Sequence, residues 1–180
     1  MHPVFPSLEH TQLVRAYFLV CAISNDPKAL LLPEQISGFS GDVPVIVPTF
    51  LPAERQLMLR LIASVQATNE ANEELIPHAT FVVEFVYHIA NYDEIAVTHS
   101  LTRDAAPPHA LVEALVGAAY STARGMIMSK VSDTIFAGYS LPLVTVQELI
   151  TQSQALILKN RTQLELPTGP PRKPKRSKVD

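Results

Sequence analysis

Two stretches of the chain alternate apolar and polar residues with the period of a β-strand. In Gln56–Gln66, the residues Leu57, Leu59, Leu61, Ala63 and Val65 fall on one side, opposite Gln56, Met58, Arg60, Ile62, Ser64 and Gln66. In Thr80–Ile89, an entirely apolar face of Phe81, Val83, Phe85, Tyr87 and Ile89 lies opposite Thr80, Val82, Glu84, Val86 and His88. Such alternation marks strands buried on one side, and the polar link Ala67–Pro77 lets the two pair antiparallel. Val14–Ser24 reads as another strand from its aromatic and β-branched content, with Tyr17, Leu19, Cys21 and Ile23 on one face. Val43–Phe50 is a fourth, held to a sheet edge because Pro44 and Pro48 lack the N–H that a ladder needs. Between the first and the edge strand runs a long connection, Asn25–Asp42, carrying Leu30, Leu31, Leu32 and Phe39. Connections of that length usually serve a function.

The period changes in the second half. After Pro107 and Pro108, which suit a helix start, the segment His109–Lys130 is apolar or small around nearly its whole circumference. Leu111, Leu115, Ala118, Thr122 and Met126 follow one side, and Val112, Val116, Ala119, Ala123 and Ile127 its neighbour. Gly117, Ser121 and Gly125 recur every fourth residue as a flat track for a close neighbour. Such a helix cannot stand in water, and one sheet covers only one of its sides. The expectation is a helix between its own sheet and another subunit, with Leu111, Leu115, Gly117, Ala118, Ser121, Thr122 and Gly125 at the interface. A loop with Phe136, Gly138, Tyr139 and Pro142 follows, and helical spacing resumes over Leu143–Leu158.

The fold class is therefore α+β: a four-stranded antiparallel sheet packed against a long helix and a shorter final one. The 180 residues divide into a flexible N-terminus (1–12), one domain (13–160) and a disordered basic tail (161–180). The tail matters for charge. Its last nine positions hold five of the 14 Lys and Arg residues, leaving 9 basic against 16 acidic residues before them. The body repels nucleic acid, so no specific nucleic-acid partner is expected. Hydrophobic residues make up 47% and charged ones 17%, a balance that favours an assembly hiding apolar surface. The lone Cys21 reads as a small buried hydrophobe in a reducing compartment. The opening MHPVFPSLEH shows no signal-peptide pattern, and Glu113 and Arg124 interrupt the longest apolar run. A cytoplasmic protein without membrane insertion is expected.

Little in the sequence argues catalysis. The six histidines show no metal-ligand spacing, Ser121 lacks a strand-turn-helix elbow, and phosphate-binding glycine patterns are absent. No catalytic residue, metal or cofactor is assigned. Glu113 and Arg124 either pair with a two-fold-related helix or serve as a solvated acid and a structural cation.

The chain resembles the SecB family of protein-export chaperones, including the diverged members found beside toxin–antitoxin genes. The motifs that carry this are AYSTARG at Ala119–Gly125, SLPLV at Ser140–Val144 and QEL at Gln147–Leu149, together with the two paired strands. The resemblance spans roughly Val14 to Gln152. It implies a homotetramer built as a dimer of dimers, and nucleotide-independent binding of unfolded client proteins in apolar grooves. By position, the groove would draw on Phe39, Tyr87, Ile89, Phe136, Tyr139, Leu143, Val146, Leu149 and Ile150. It also implies a translocation motor or an antitoxin as a partner. Here Glu84 stands for the family's acidic sheet positions, the basic tail has no counterpart, and TyrSerThr replaces the usual aromatic-Pro-Tyr before Ala-Arg. An adaptor subunit that uses the same surface for one folded partner is the alternative.

Overall fold

The computed structural model describes residues 8–24, 33–98 and 105–164. Its main sheet holds β1 (Thr11–Ser24), β2 (Gly38–Ser40), β3 (Val45–Leu51), β4 (Gln56–Thr68) and β5 (Glu74–Ile89), all antiparallel. β5 lies between β1 and β4, and β2 and β3 share the far edge of β4. After β5 come a single turn, α1 (Tyr92–Ile95), and a small ribbon of β6 (Val97–Thr98) and β7 (Ala105–Ala106). Two helices follow, α2 (His109–Val131) and α3 (Val146–Leu164). The four expected strands are present. The short β2, with Phe39 at its centre, is an addition, drawn out of the long connection to pair with Gln66–Thr68. Gly41, just beyond it, passes so close to β4 that a Cβ there would stand 2.5 Å from the Ser64 carbonyl oxygen.

The alternating strands fold as their pattern requires. Leu57, Leu59, Leu61, Ala63 and Val65 of β4 and Phe81, Val83, Phe85, Tyr87 and Ile89 of β5 are all buried beneath α2. β1 departs from the expected alternation. The register slips between Leu13 and Arg15 and again between Phe18 and Val20. Each bulge adds a residue, and an odd insertion sends the following side chains to the opposite face. Ala16 and Phe18, then Cys21 and Ile23, point inward, while Tyr17 turns outward and Leu19 is left 43% exposed. The shared face of Tyr17, Leu19, Cys21 and Ile23 is therefore broken at Leu19.

β3 sits at the edge for the reason its prolines give. The N–H of Ile46 points off the sheet and donates to Ser153 Oγ of α3 at 2.9 Å. Because alternate residues of an antiparallel strand face the same way, Pro48 also turns its nitrogen off the ladder. Ser153 Oγ in turn donates to Leu149 O at 2.6 Å, so a buried hydroxyl clips α3 to the strand.

α2 begins at His109, with Pro108 as its N-cap and the N–H groups of Leu111 and Val112 donating to Pro108 O. One face enters the core through Leu111, Leu115, Val116, Ala119, Tyr120, Ala123, Ile127 and Val131. The other face, with Ala114, Ala118, Ser121, Thr122 and Gly125, is exposed and uncharged. Among the described residues the helix is thus covered on one side only. α3 starts with a capping box, Thr145 to Glu148. The Thr145 N–H and hydroxyl both donate to the Glu148 carboxylate, and Glu148 N–H donates back to Thr145 Oγ1 at 3.2 Å. These bonds, the backbone one first, hold the Glu148 carboxyl below its usual pKa. α3 runs to Leu164, past the expected domain end at 160, and the remainder of the basic tail lies outside the described residues, as do residues 1–7 of the N-terminal segment expected to be flexible.

Candidate functional site

Of the residues expected to line a client groove, four are core. Tyr87, Ile89, Phe136 and Leu149 are 5% exposed or less, because the inner sheet face, the loop after α2 and the first turn of α3 close on one another. Phe39 and Tyr139 are half-buried in an aromatic chain. Phe39 stacks on Phe136 and meets Tyr139 edge-on, both at 5.7 Å, and Tyr139 stacks on Phe81 at 6.4 Å. Val146 is half-buried against Gly117, and Leu143 is 83% exposed.

Ile150 opens onto an apolar depression. This groove, about 640 Å³, runs between β3, the start of α2 and α3, and is lined by Ile46, Val47, Pro48, Phe50, Val112, Val116 and Ile157 with Pro107 and Pro108. A second depression of about 480 Å³ lies on the other side of α3, where Phe39, Val43, Tyr139, Pro142 and Val144 are mixed with Ser40, Asp42 and Gln152. The groove's polar lining is His109, Ser153 and Gln154. The Ser153 hydroxyl is engaged by Leu149 O and Ile46 N, and His109 Nδ1 lies 3.5 Å from Glu113. The arrangement can bury aliphatic or aromatic side chains and offers no nucleophile with a base beside it. Sequence reasoning missed Ile46 and Phe50, which needed β3 to be placed under α3. Val112 and Val116 were read as a helix face without the groove they border.

The expected oligomer face divides. Leu111 and Leu115 belong to the chain's own core. A Cβ on Gly117 would stand 3.1 Å from Val146 Cγ2, so this glycine serves the approach of α3. Ala118, Ser121, Thr122 and Gly125 remain on the open face, with nothing within 4 Å of a Cβ at Gly125. Glu113 is taken within the chain by Gln147 Nε2 and His109. Arg124 makes one long bond, to Ser140 Oγ at 3.4 Å, with its Nε buried and unpaired. The Tyr120 hydroxyl donates to Pro142 O at 2.8 Å, and burial pushes its pKa up to about 12.

Glu84 is not an open acidic site. It is 5% exposed on the outer sheet face, accepting from the Tyr17 hydroxyl at 2.5 Å and from Arg60 Nη2 at 2.7 Å. The Tyr17 bond and then the Arg60 bond hold its carboxyl below the usual range. No helix among the described residues is long and apolar enough to cross a membrane.

Fold and site together define an α+β protein with a one-sided antiparallel sheet, two helices on its inner face and an open apolar groove beside the last of them. No family model and no curated protein matches the sequence. Among solved structures, the chain is similar to the Mycobacterium tuberculosis Rv1957 SecB-like chaperone in complex with a ChAD peptide from the Rv1956 HigA1 antitoxin. The identity is 15% and the TM-score 0.48, over 76% of this chain and 91% of that one.

Proposed function

We propose that the protein is a non-catalytic, nucleotide-independent chaperone that holds unfolded segments of other polypeptides in the groove between β3 and α3. The observation that carries this reading is the groove itself: about 640 Å³, open, and lined mainly by aliphatic side chains and proline. An unfolded chain exposes scattered apolar side chains, and a long apolar trough takes many of them without reading one sequence. Leu143 at 83% and Leu158 at 62% exposure add apolar surface on the adjoining loop and helix. Copies of the chain associate through the uncharged face of α2, toward a tetramer in the cytoplasm.

Aggregation kinetics test the reading. Stoichiometric protein should delay light scattering by thermally unfolded citrate synthase, and Ile150→Asp, which puts a charge on the groove wall, should abolish the delay while leaving the circular dichroism spectrum unchanged. If the variant protects as well as the parent, the groove is not the site. If one folded partner binds and no unfolded protein does, the adaptor reading takes its place.

A further inference from the structure

Among the described residues no helix lies on the outer face of the main sheet, yet it is not composed like a solvated face. Antiparallel sheets open to water on one side normally alternate apolar inward and polar outward. Here the register sets Val45, Ile62, Val82 and Val20 side by side in one row across four strands. Ile62 is 37% and Val20 42% exposed. At about 4.8 Å per strand the row is roughly 14 Å wide, the reach of about four extended residues.

The adjoining row holds Arg60, Glu84 and Tyr17, and the next one holds Arg15. Glu84 is the one carboxylate in these rows among the described residues, and it is filled by Tyr17 and Arg60 and nearly closed to solvent. The exposed cations are Arg60, already paired with Glu84 but half open, and Arg15, which has no carboxylate partner among the described residues. The Arg60 side chain is 47% exposed, and the exposed Arg15 lies with its guanidinium 5.5 Å over the Tyr17 ring. This local excess sits on a chain whose first 171 residues carry 9 basic against 16 acidic groups, so it is a feature of the face and not of the bulk charge.

We infer that this face docks an extended acidic and apolar segment of another polypeptide, with carboxylates at Arg15 and Arg60 and aliphatic side chains on the row of Val20, Val82 and Ile62. Complementary charge sets the partner class and the register, and the aliphatic row supplies burial. The site lies across the sheet from the α3 groove and is occupied independently of it.

The probe is a fluorescein-labelled twelve-residue peptide alternating valine and glutamate, titrated into the full chain by anisotropy at low salt, beside the same peptide with lysine for glutamate. The glutamate peptide should bind at least about tenfold more tightly than the lysine peptide, in the parent and in Ile150→Asp alike. Arg15→Glu should weaken binding by about tenfold or more, as loss of one well-placed charge contact does. Added salt should weaken it too, because the arginines are partly solvated. Val20→Asp should weaken it from an exposed position, and Ile150→Asp in the groove should leave it unchanged. Equal binding of the two peptides would overturn the inference, as would an Arg15→Glu affinity equal to the parent's. Retention of the chain on phosphatidylserine vesicles with no peptide binding would also overturn it, and would assign the face to a lipid surface.

Discussion

Tyr120 shows how one side chain fixes the geometry beside the final helix. Its ring is packed in α2, and its hydroxyl holds the Pro142 carbonyl, so the loop that launches α3 is fastened to the long helix. Removing a hydrogen bond of this kind costs about 1 kcal/mol, and Tyr120→Phe should lose about that much at pH 7 in urea unfolding. The pH dependence has a definite sign. A phenol whose folded pKa is raised contributes stability that is complete below pH 10 and is lost as pH rises toward about 12. The gap between parent and Tyr120→Phe should therefore narrow above pH 10, and a gap that widens there would contradict the assignment. Buried polar residues were the least legible part of the sequence. Ser153 looks like any polar residue on a helix, because its partner, the Ile46 N–H, lies 107 positions away. Glu84 reads as an open acid until the bulges of β1 turn Tyr17 onto it.

Among the elements, those written in one unbroken period were legible and those with an irregularity were not. β4 and β5 follow from their alternation, and α2 from its two prolines and apolar circumference. β1 was found as a strand, but its faces were misread, because a bulge leaves no mark in a run of uniformly apolar residues. β2 was invisible, since three residues pair only because Gly41 lets the chain lie against β4. α3 was expected to begin at Leu143. The capping box of Thr145 and Glu148, a pattern present in the sequence, places the start at Val146. Thr145→Ala should cost about 1 kcal/mol, read as a lower thermal midpoint. Glu148→Gln should cost less, since glutamine can replace the acceptor in this motif. Equal stability of parent and Thr145→Ala would show that packing alone sets the helix start.

At the scale of the whole molecule, three surfaces remain among the described residues after the core is closed: the groove beside α3, the uncharged face of α2 and the outer face of the sheet. The sequence made the second visible, by listing more apolar residues than one sheet could cover. It placed the groove only in part, because four of the nine residues assigned by resemblance, Tyr87, Ile89, Phe136 and Leu149, are core. The two glycines of α2 separate fold from assembly. Gly117→Leu presses on Val146 and should lower the thermal midpoint. Gly125→Leu meets open space, gains helix propensity and should leave the midpoint unchanged or higher while reducing the mass measured by multi-angle light scattering. An unchanged mass for Gly125→Leu would remove the α2 face from the assembly.

One apolar groove should accept unrelated unfolded chains in turn. Competition titration tests it most directly: labelled, reduced and carboxymethylated α-lactalbumin is bound to the protein and displaced by unlabelled, unfolded citrate synthase. Full displacement at one site is expected, with loss of both clients in Ile150→Asp. Binding of one client that the other cannot displace, or of both to Ile150→Asp with the parent's affinity, would contradict it.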